Sequence, residues 1–279
     1  MRNNEERFGV NKQIQDAAPM PQEQSGLNLN FVIPTEFVEL PSKGKFYSQN
    51  HPLYGQSSIE IKQMTAKEED ILTSKSLLKK GVALDKLIAS LVVDKSIDPD
   101  SLTVEDRNAI VVSARISGYG SEYVTNVICP SCENKDKFTF DLSEKVAKLE
   151  EQMEEAEVDE NGHFEMVLPA TKWKVVCRAL NGKDEKTMLR VKELKKNSSN
   201  DSMLLDQLKL IIVSIQSVTD LSVLETALSS MPASDSRYLR RRYSEVVKSY
   251  DMTQRYSCNK CDYQADMEVP LSADFFWFK

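Results

Sequence analysis

The chain of 279 residues carries 41% hydrophobic and 28% charged residues and a formal net charge of −7, a length that accommodates two modest hydrophobic cores. No apolar stretch approaches the roughly 20 residues that span a bilayer, and the acidic balance argues against nonspecific binding to phosphate backbones, which relies on clustered Lys and Arg. The two histidines, His51 and His163, stand in no catalytic pattern, and no motif unites a nucleophile, a base or an open metal position, so the chain reads as a non-enzyme.

Residues 1–30 are rich in Asn, Gln and Glu and poor in aromatics. Such a composition buries too little apolar surface to offset ordering entropy, which predicts a flexible tail. A first module is expected over residues 31–141. Phe37-Val-Glu-Leu-Pro41 reads as a short extended segment, Ser42-Lys-Gly-Lys45 as a turn, and Ile59-Glu-Ile61 as a returning strand. Thr65 with Glu68 forms a capping-box pattern opening a helix expected to reach Lys80 and stop at Gly81. Leu84, Leu87, Ile88 and Leu91 fall on one helical stripe. Thr103, with Asp106 three positions on, starts a further helix that Gly118 is expected to end. Val124 then leads as a strand into Cys129-Pro-Ser-Cys132.

Residues 142–161 carry Glu144, Glu150, Glu151, Glu154, Glu155, Glu157, Asp159 and Glu160. High helix propensity combined with like-charge repulsion predicts a solvated helical linker, with a specific acidic binding surface as the alternative. The remainder, 162–279, repeats the order of the first module. Phe164-Glu-Met-Val-Leu-Pro169 echoes Phe37-Val-Glu-Leu-Pro41, Leu205-Asp-Gln-Leu208 answers Leu84-Asp-Lys-Leu87, and Cys258-Asn-Lys-Cys261 follows as a second cysteine pair. Pro169 trails Pro41 by 128 positions, while Asp235 trails Asp106 and Cys258 trails Cys129 by 129. A shared order with a steady late offset points to internal duplication; shared turn chemistry between small α+β modules is the bland reading. An extra helix is expected near Leu221 to Met231.

Cys129, Cys132, Cys258 and Cys261 carry the chemistry. Two Cys-x-x-Cys turns present four thiolates, the soft tetrahedral set of a closed structural zinc site, if the chain folds back to unite them. A redox Cys-x-x-Cys normally opens a helix, whereas strand-like Lys137-Phe-Thr-Phe-Asp141 and Tyr263-Gln-Ala-Asp-Met-Glu-Val269 follow these pairs. Structural disulfides would require an oxidising compartment, for which no secretory signal argues. The fifth cysteine, Cys177, sits in an apolar run and reads as a buried core thiol.

The segments Leu40-Pro-Ser-Lys-Gly-Lys-Phe-Tyr47, Met64-Thr-Ala-Lys-Glu-Glu-Asp-Ile-Leu72, Leu102-Thr-Val-Glu-Asp-Arg107, Ala114-Arg-Ile-Ser-Gly-Tyr-Gly120 and Val127-Ile-Cys-Pro-Ser-Cys132 resemble baseplate hub proteins of T-even-like contractile-tailed phages. The resemblance is strong between Phe37 and Asp141; the second half shares it through the repeat and the final knuckle. It implies a structural or assembly role in the virion baseplate, or in the host cytoplasm during assembly, with other baseplate or tail proteins as partners and no catalytic residue.

The alternative is a zinc-ribbon nucleic-acid adaptor, suggested by Arg237, Arg240, Arg241 and Arg242 on one predicted helix. Nearby Asp235 and Glu245 favour a solvated or internally paired face instead. At the C-terminus, Phe275, Phe276, Trp277 and Phe278 lack alternation and would make an exposed patch at a free end. They read as partner anchors, with burial over the second knuckle or in the seam between modules as the competing reading. The expected architecture is α+β: two related modules of helices plus small antiparallel hairpins, joined by one four-cysteine zinc-knuckle site.

Overall fold

The computed structural model describes residues 33–143, 156–195, 203–248, 250, 252–269 and 273–276. β1 (Thr35–Glu39) and β2 (Ser58–Lys62) form an antiparallel hairpin with Val38 opposite Ile59. Strand alternation turns Val38, Ile59 and Ile61 into the core and leaves Phe37 on the other face, 72% exposed. The helices α1 (Ala66–Thr73), α2 (Lys75–Lys79), α3 (Ala83–Leu91) and α4 (Val104–Tyr119) follow. β3 (Glu122–Ile128) and β4 (Lys135–Asp141) then make a second hairpin.

The Thr65–Glu68 capping box is present, and Glu68 also accepts from Lys62 at 2.8 Å and Ser90 at 2.5 Å. The helix expected to run on to Lys80 is instead broken at Ser74, whose backbone is extended. The Thr73 hydroxyl donates back to the carbonyls of Glu69 and Asp70, a local competition by which Ser and Thr weaken helix continuation. In α3, Leu87, Ile88 and Leu91 are buried as the stripe requires. Helix α4 passes Gly118 and ends at Tyr119, because Gly120 supplies the positive φ of 82° there.

The second half begins with β5 (His163–Val167) and β6 (Lys174–Arg178), followed by α5 (Gly182–Lys195) and α6 (Met203–Ile211). A strand that alternation did not announce, β7 (Ile212–Ile215), follows α6 directly and pairs with β6, giving the sheet order β5-β6-β7. Its short run Ile212-Val-Ser-Ile215, apolar but for Ser214, is ambiguous between helix and strand. In the first half the matching contact is a single bridge between Ile61 and Val92. Then come α7 (Leu221–Ser230), the expected extra helix, α8 (Ala233–Val246), the hairpin β8 (Thr253–Ser257) with β9 (Gln264–Glu268), and a 3-10 turn at Ala273–Phe276. The described residues thus form an α+β fold of eight α-helices and small antiparallel sheets. β1 and β5 start 128 residues apart, at 35 and 163, and α4 and α8 start 129 apart, at 104 and 233.

Each half pins the loop after its first strand with a buried aspartate from the first turn of its long helix. Asp106 accepts from the Ser42 backbone N–H at 3.0 Å, the Ser42 hydroxyl at 2.6 Å and the Tyr47 hydroxyl at 2.6 Å. Asp235 accepts from the N–H groups of Ala170 and Thr171 at 2.8 and 2.9 Å and from the Thr171 hydroxyl at 2.7 Å. Lys43 and Lys172, next in each loop, both have positive φ.

Two hydrophobic clusters result, and they do not divide the chain at its midpoint. The second cluster runs from Phe164 to Val247. Tyr250, Met252, Tyr256, Cys258, Val269, Phe275 and Phe276 return to the first cluster, beside Val38, Leu87, Ile110 and Phe140. The expected boundary at 162–279 therefore keeps the last hairpin in sequence with the second module, whereas packing joins it to the first. Between the clusters, Val104 N–H bonds Leu180 C=O at 2.9 Å and Gly182 N–H bonds Leu102 C=O at 3.1 Å. Buried Arg107 donates from Nε to Glu185 at 3.0 Å and from a terminal nitrogen to Pro99 C=O at 2.8 Å, and pairs with Asp85.

The tail expected over 1–30 and most of the expected linker lie outside the described residues. The described end of that linker, 156–161, is not helical. Val158 bridges Phe164, and the Glu160 carbonyl accepts the Gln49 N–H at 3.0 Å. Ala156 and Val158 pack against the second cluster, so apolar burial overrides helix propensity there.

Candidate metal centre

Each cysteine pair occupies the tip of a two-stranded hairpin, and the two tips are built alike. Cys129 N–H bonds the carbonyl of Asn134 at 2.9 Å, and Cys258 N–H bonds that of Tyr263 at 3.0 Å, five residues on in both cases. In the first turn Glu133 has a positive φ of 55°, and its N–H returns to the Cys129 carbonyl at 2.9 Å. Both thiols of a pair consequently project from one side of a tight loop.

The tips face each other. All four sulfurs of Cys129, Cys132, Cys258 and Cys261 lie within 4.8 Å of one another. Two contacts cross between the hairpins: Cys129 to Cys261 at 3.8 Å and Cys132 to Cys258 at 3.7 Å. A tetrahedral site with Zn–S bonds of about 2.3 Å has S···S edges of about 3.8 Å. Those separations are far too long for disulfide bonds, and the cysteines are free.

Two further features suit thiolates. The Lys260 N–H points at the Cys258 sulfur at 3.4 Å, and that backbone contact leads the effects that draw the Cys258 thiol down to about 6. The buried Tyr256 hydroxyl has no hydrogen-bond partner. Burial, followed by the neighbouring Cys258 sulfur, raises that phenol to about 12, so a thiolate at Cys258 would give the orphaned O–H an acceptor. Cys129 and Cys258 are buried, Cys261 is half-buried and Cys132 is exposed. Four sulfurs complete a tetrahedron without an open position, which is the arrangement of a structural centre.

Side chains beyond the sulfurs hold the hairpins in place. Gln254 on β8 accepts from the Asp141 N–H at 3.0 Å and donates to the Asp141 carbonyl at 2.5 Å. The Phe138 and Tyr256 rings meet edge to face with centroids 5.5 Å apart, and Asn259 hydrogen-bonds Asp136.

The other candidates fall elsewhere. Cys177 is fully buried in the second cluster, and burial pushes its thiol up to about 12. Phe275 and Phe276, expected as partner anchors, are 0% and 1% exposed inside the chain's own core; Trp277 and Phe278 lie outside the described residues. Of the α8 arginines, Arg237 is exposed, Arg240 donates to the Ser236 carbonyl at 3.4 Å, and Arg241 and Arg242 reach Glu245 at 3.7 and 3.3 Å. Two of the four arginines thus share the Glu245 carboxylate. The sequence pattern placed Asp106 at a helix start and opposite Asp235 in the repeat but gave no sign of its buried hydrogen bonds, and it did not single out Arg107 or Arg115, since partners dozens of positions away leave no local trace.

No helix among the described residues is long and apolar enough to cross a membrane. No curated protein and no solved structure matches the chain. Residues 33–277 match the family described as T4 bacteriophage base plate protein, a span that takes in both hairpins, both clusters and all four clustered cysteines. On that match the chain belongs to the T4 bacteriophage base plate protein family, whose setting is the virion baseplate.

Proposed function

We propose that the protein is a hub component or hub-assembly factor of a contractile-tail baseplate and acts by binding other baseplate or tail proteins. The observation that carries this reading is the family match across 33–277. A cysteine cluster with no open ligand position supports a structural use of any bound metal rather than a catalytic one. Cys129, Cys132, Cys258 and Cys261 hold one structural Zn²⁺ per chain, which clasps the β3–β4 hairpin to the β8–β9 hairpin. The common element order, the paired aspartates and the matched cysteine turns support descent of the two halves from one duplicated module. Trp277 and Phe278 remain the aromatic candidates for partner contact, and assembly takes place in the host cytoplasm before the virion is complete.

Mass spectrometry of purified virions and of assembly intermediates tests the role. Presence among hub components at either stage is expected; absence from both overturns the reading. Elemental analysis of the reduced protein tests the metal. About one Zn²⁺ per chain is expected from one four-thiolate shell, with loss on Cys129→Ser or Cys258→Ser. Full retention after either substitution, or two independently bound metals, contradicts a shared site.

A further inference from the structure

Residues 40–57 connect β1 to β2, whereas the corresponding connection between β5 and β6 spans only 168–173. The longer connection reaches across the seam between the two hydrophobic clusters. Tyr47 and Leu53 are buried in the first cluster, while Phe46 packs on the second, its ring 6.0 Å from that of Phe164. The Gln49 N–H donates to the Glu160 carbonyl at 3.0 Å. Residues 46–53 are thus a strap between the two halves.

His51 lies where this strap folds back. Its backbone closes two successive turns: the His51 N–H bonds Ser48 C=O at 2.9 Å, and the Tyr54 N–H bonds His51 C=O at 2.9 Å. Its ring closes a third, since Nδ1 accepts the Leu53 N–H at 3.1 Å. A backbone N–H can only donate, so Nδ1 carries no proton and the neutral ring holds its proton on Nε2. Nε2 lies 2.8 Å from the Ser101 hydroxyl, which itself donates to the Asp98 carbonyl at 2.6 Å and so accepts from the ring. Both nitrogens are committed to a single neutral tautomer. A second proton has only Nδ1 to occupy, and there it meets the Leu53 N–H, donor against donor.

The surroundings favour the neutral ring. It stacks on Tyr47 with centroids 4.4 Å apart and planes 12° apart. Behind that ring the Tyr47 hydroxyl is held by Asp106 at 2.6 Å. Asp98 faces the imidazole from the connection ahead of α4, and its carboxylate is paired with Lys183 at 3.2 Å. Burial lowers the imidazole below its ordinary 6.5, and Asp98 opposes this without cancelling it. The stabilisation from the neutral ring is therefore full above 6.5 and is lost as pH falls below that value through the folded pKa.

We propose that His51 is an acid-sensitive latch on the strap between the two halves. Protonation at Nδ1 displaces the Leu53 N–H, opens the turns at 48–54 and releases the Gln49–Glu160 contact across the seam.

The test uses the purified full chain, whose only other histidine is His163. Amide exchange, corrected for its intrinsic rate, is measured at about pH 7.5 and about pH 5, on either side of the ordinary imidazole value. The Gln49 and Leu53 amides are expected to lose protection roughly fivefold to tenfold in acid, the equivalent of one hydrogen bond, while β5, β6 and β7 keep theirs. In His51→Asn the side-chain oxygen takes the place of Nδ1 in an Asx turn and cannot be protonated. That variant is expected to hold both amides equally well at the two pH values. An unchanged wild type in acid, the same loss in His51→Asn, or a His51 ring that titrates at or above 6.5 overturns the latch. Should His51→Asn fail to fold, the nitrogen spectrum of the wild-type ring decides. Protonation of Nδ1 in step with Leu53 exchange supports the latch, and a proton already on Nδ1 in the neutral ring overturns it. None of these readouts depends on the baseplate role proposed above.

Discussion

The Arg115 guanidinium donates from Nε to the carbonyl of Phe275, 3.1 Å away and 160 positions along the chain. Its terminal nitrogens reach the carbonyls of Gly120 at 2.7 Å and Glu122 at 3.0 Å. The Tyr119, Tyr123 and Phe275 rings lie around its cationic carbon at 5.4, 6.0 and 5.9 Å. A buried cation thus gathers the end of α4, the start of β3 and the C-terminal turn, with aromatic faces replacing water.

This fixes an expected split between two truncations. Phe275→Ala should destabilise the isolated chain by about 3–5 kcal/mol, the usual range for emptying a buried aromatic site. Removal of residues 275–279 should lower the urea midpoint strongly, while removal of 277–279 should preserve the fold. Equal midpoints for wild type and the 275–279 truncation would return Phe275 and Phe276 to the role of partner anchors.

The two buried aspartates should respond oppositely to pH. Burial pushes Asp235 up, but the N–H groups of Ala170 and Thr171 and the Thr171 hydroxyl outweigh it and hold the carboxyl below its ordinary 3.8. Its stabilisation is therefore present above that value and is lost as pH falls through the folded pKa. At Asp106 burial dominates over the bonds from Ser42 and Tyr47 and raises the pKa. That contribution is full below 3.8 and is lost as pH rises through the raised value. Two fixed backbone donors at Asp235 cannot turn away from an Asn amide, whereas the Ser42 and Tyr47 hydroxyls can reorient. At pH 7, Asp235→Asn should cost about 2–3 kcal/mol and more than Asp106→Asn. Denaturant titrations at pH 7 and pH 3 check both the order and the shrinking deficit of Asp235→Asn in acid.

Gly162 should be intolerant of a side chain. Its φ is +81°, and a Cβ there would fall 2.3 Å from the Phe46 carbonyl oxygen. Phe46 packs on the second cluster, its ring 6.0 Å from that of Phe164, so the clash would be transmitted to the seam. Gly162→Ala should cost about 2–4 kcal/mol. Gly55→Ala is the control: φ is +66° but the space is open, and only about 1 kcal/mol of backbone strain is expected. Comparable melting temperatures for the two variants would show that the backbone at Phe46 yields.

Metal removal should loosen one part of the molecule selectively. Two-stranded hairpins are marginal alone, and the proposed metal on the four sulfurs would tie β3–β4 to β8–β9. The cluster running from Phe164 to Val247 contains none of these cysteines. Chelation of the proposed zinc should raise amide exchange across 122–141 and 253–268 while β5, β6 and β7 stay protected. Uniform exchange loss across both clusters would mean that the metal supports the whole fold.

Local patterns in the chain suffice for elements whose interactions are local. The capping box at Thr65, the stripe of Leu87, Ile88 and Leu91, and the cysteine turns each depend on residues within a few positions, so spacing alone places them. The four-sulfur cluster was legible for a chemical reason: two pairs of soft ligands complete one tetrahedral shell. Spacing could not say which core would receive the second pair. Only tertiary packing decided that β8–β9, Phe275 and Phe276 return to the first cluster, because Arg115, Gln254 and Phe138 meet their partners more than a hundred positions away. It likewise decided that β7 is a strand, by offering β6 as an edge, and that two aspartates in similar helix turns have oppositely shifted pKa values. Those outcomes depend on which donors and how much water surround a group, and a linear sequence does not hold that environment until distant segments meet.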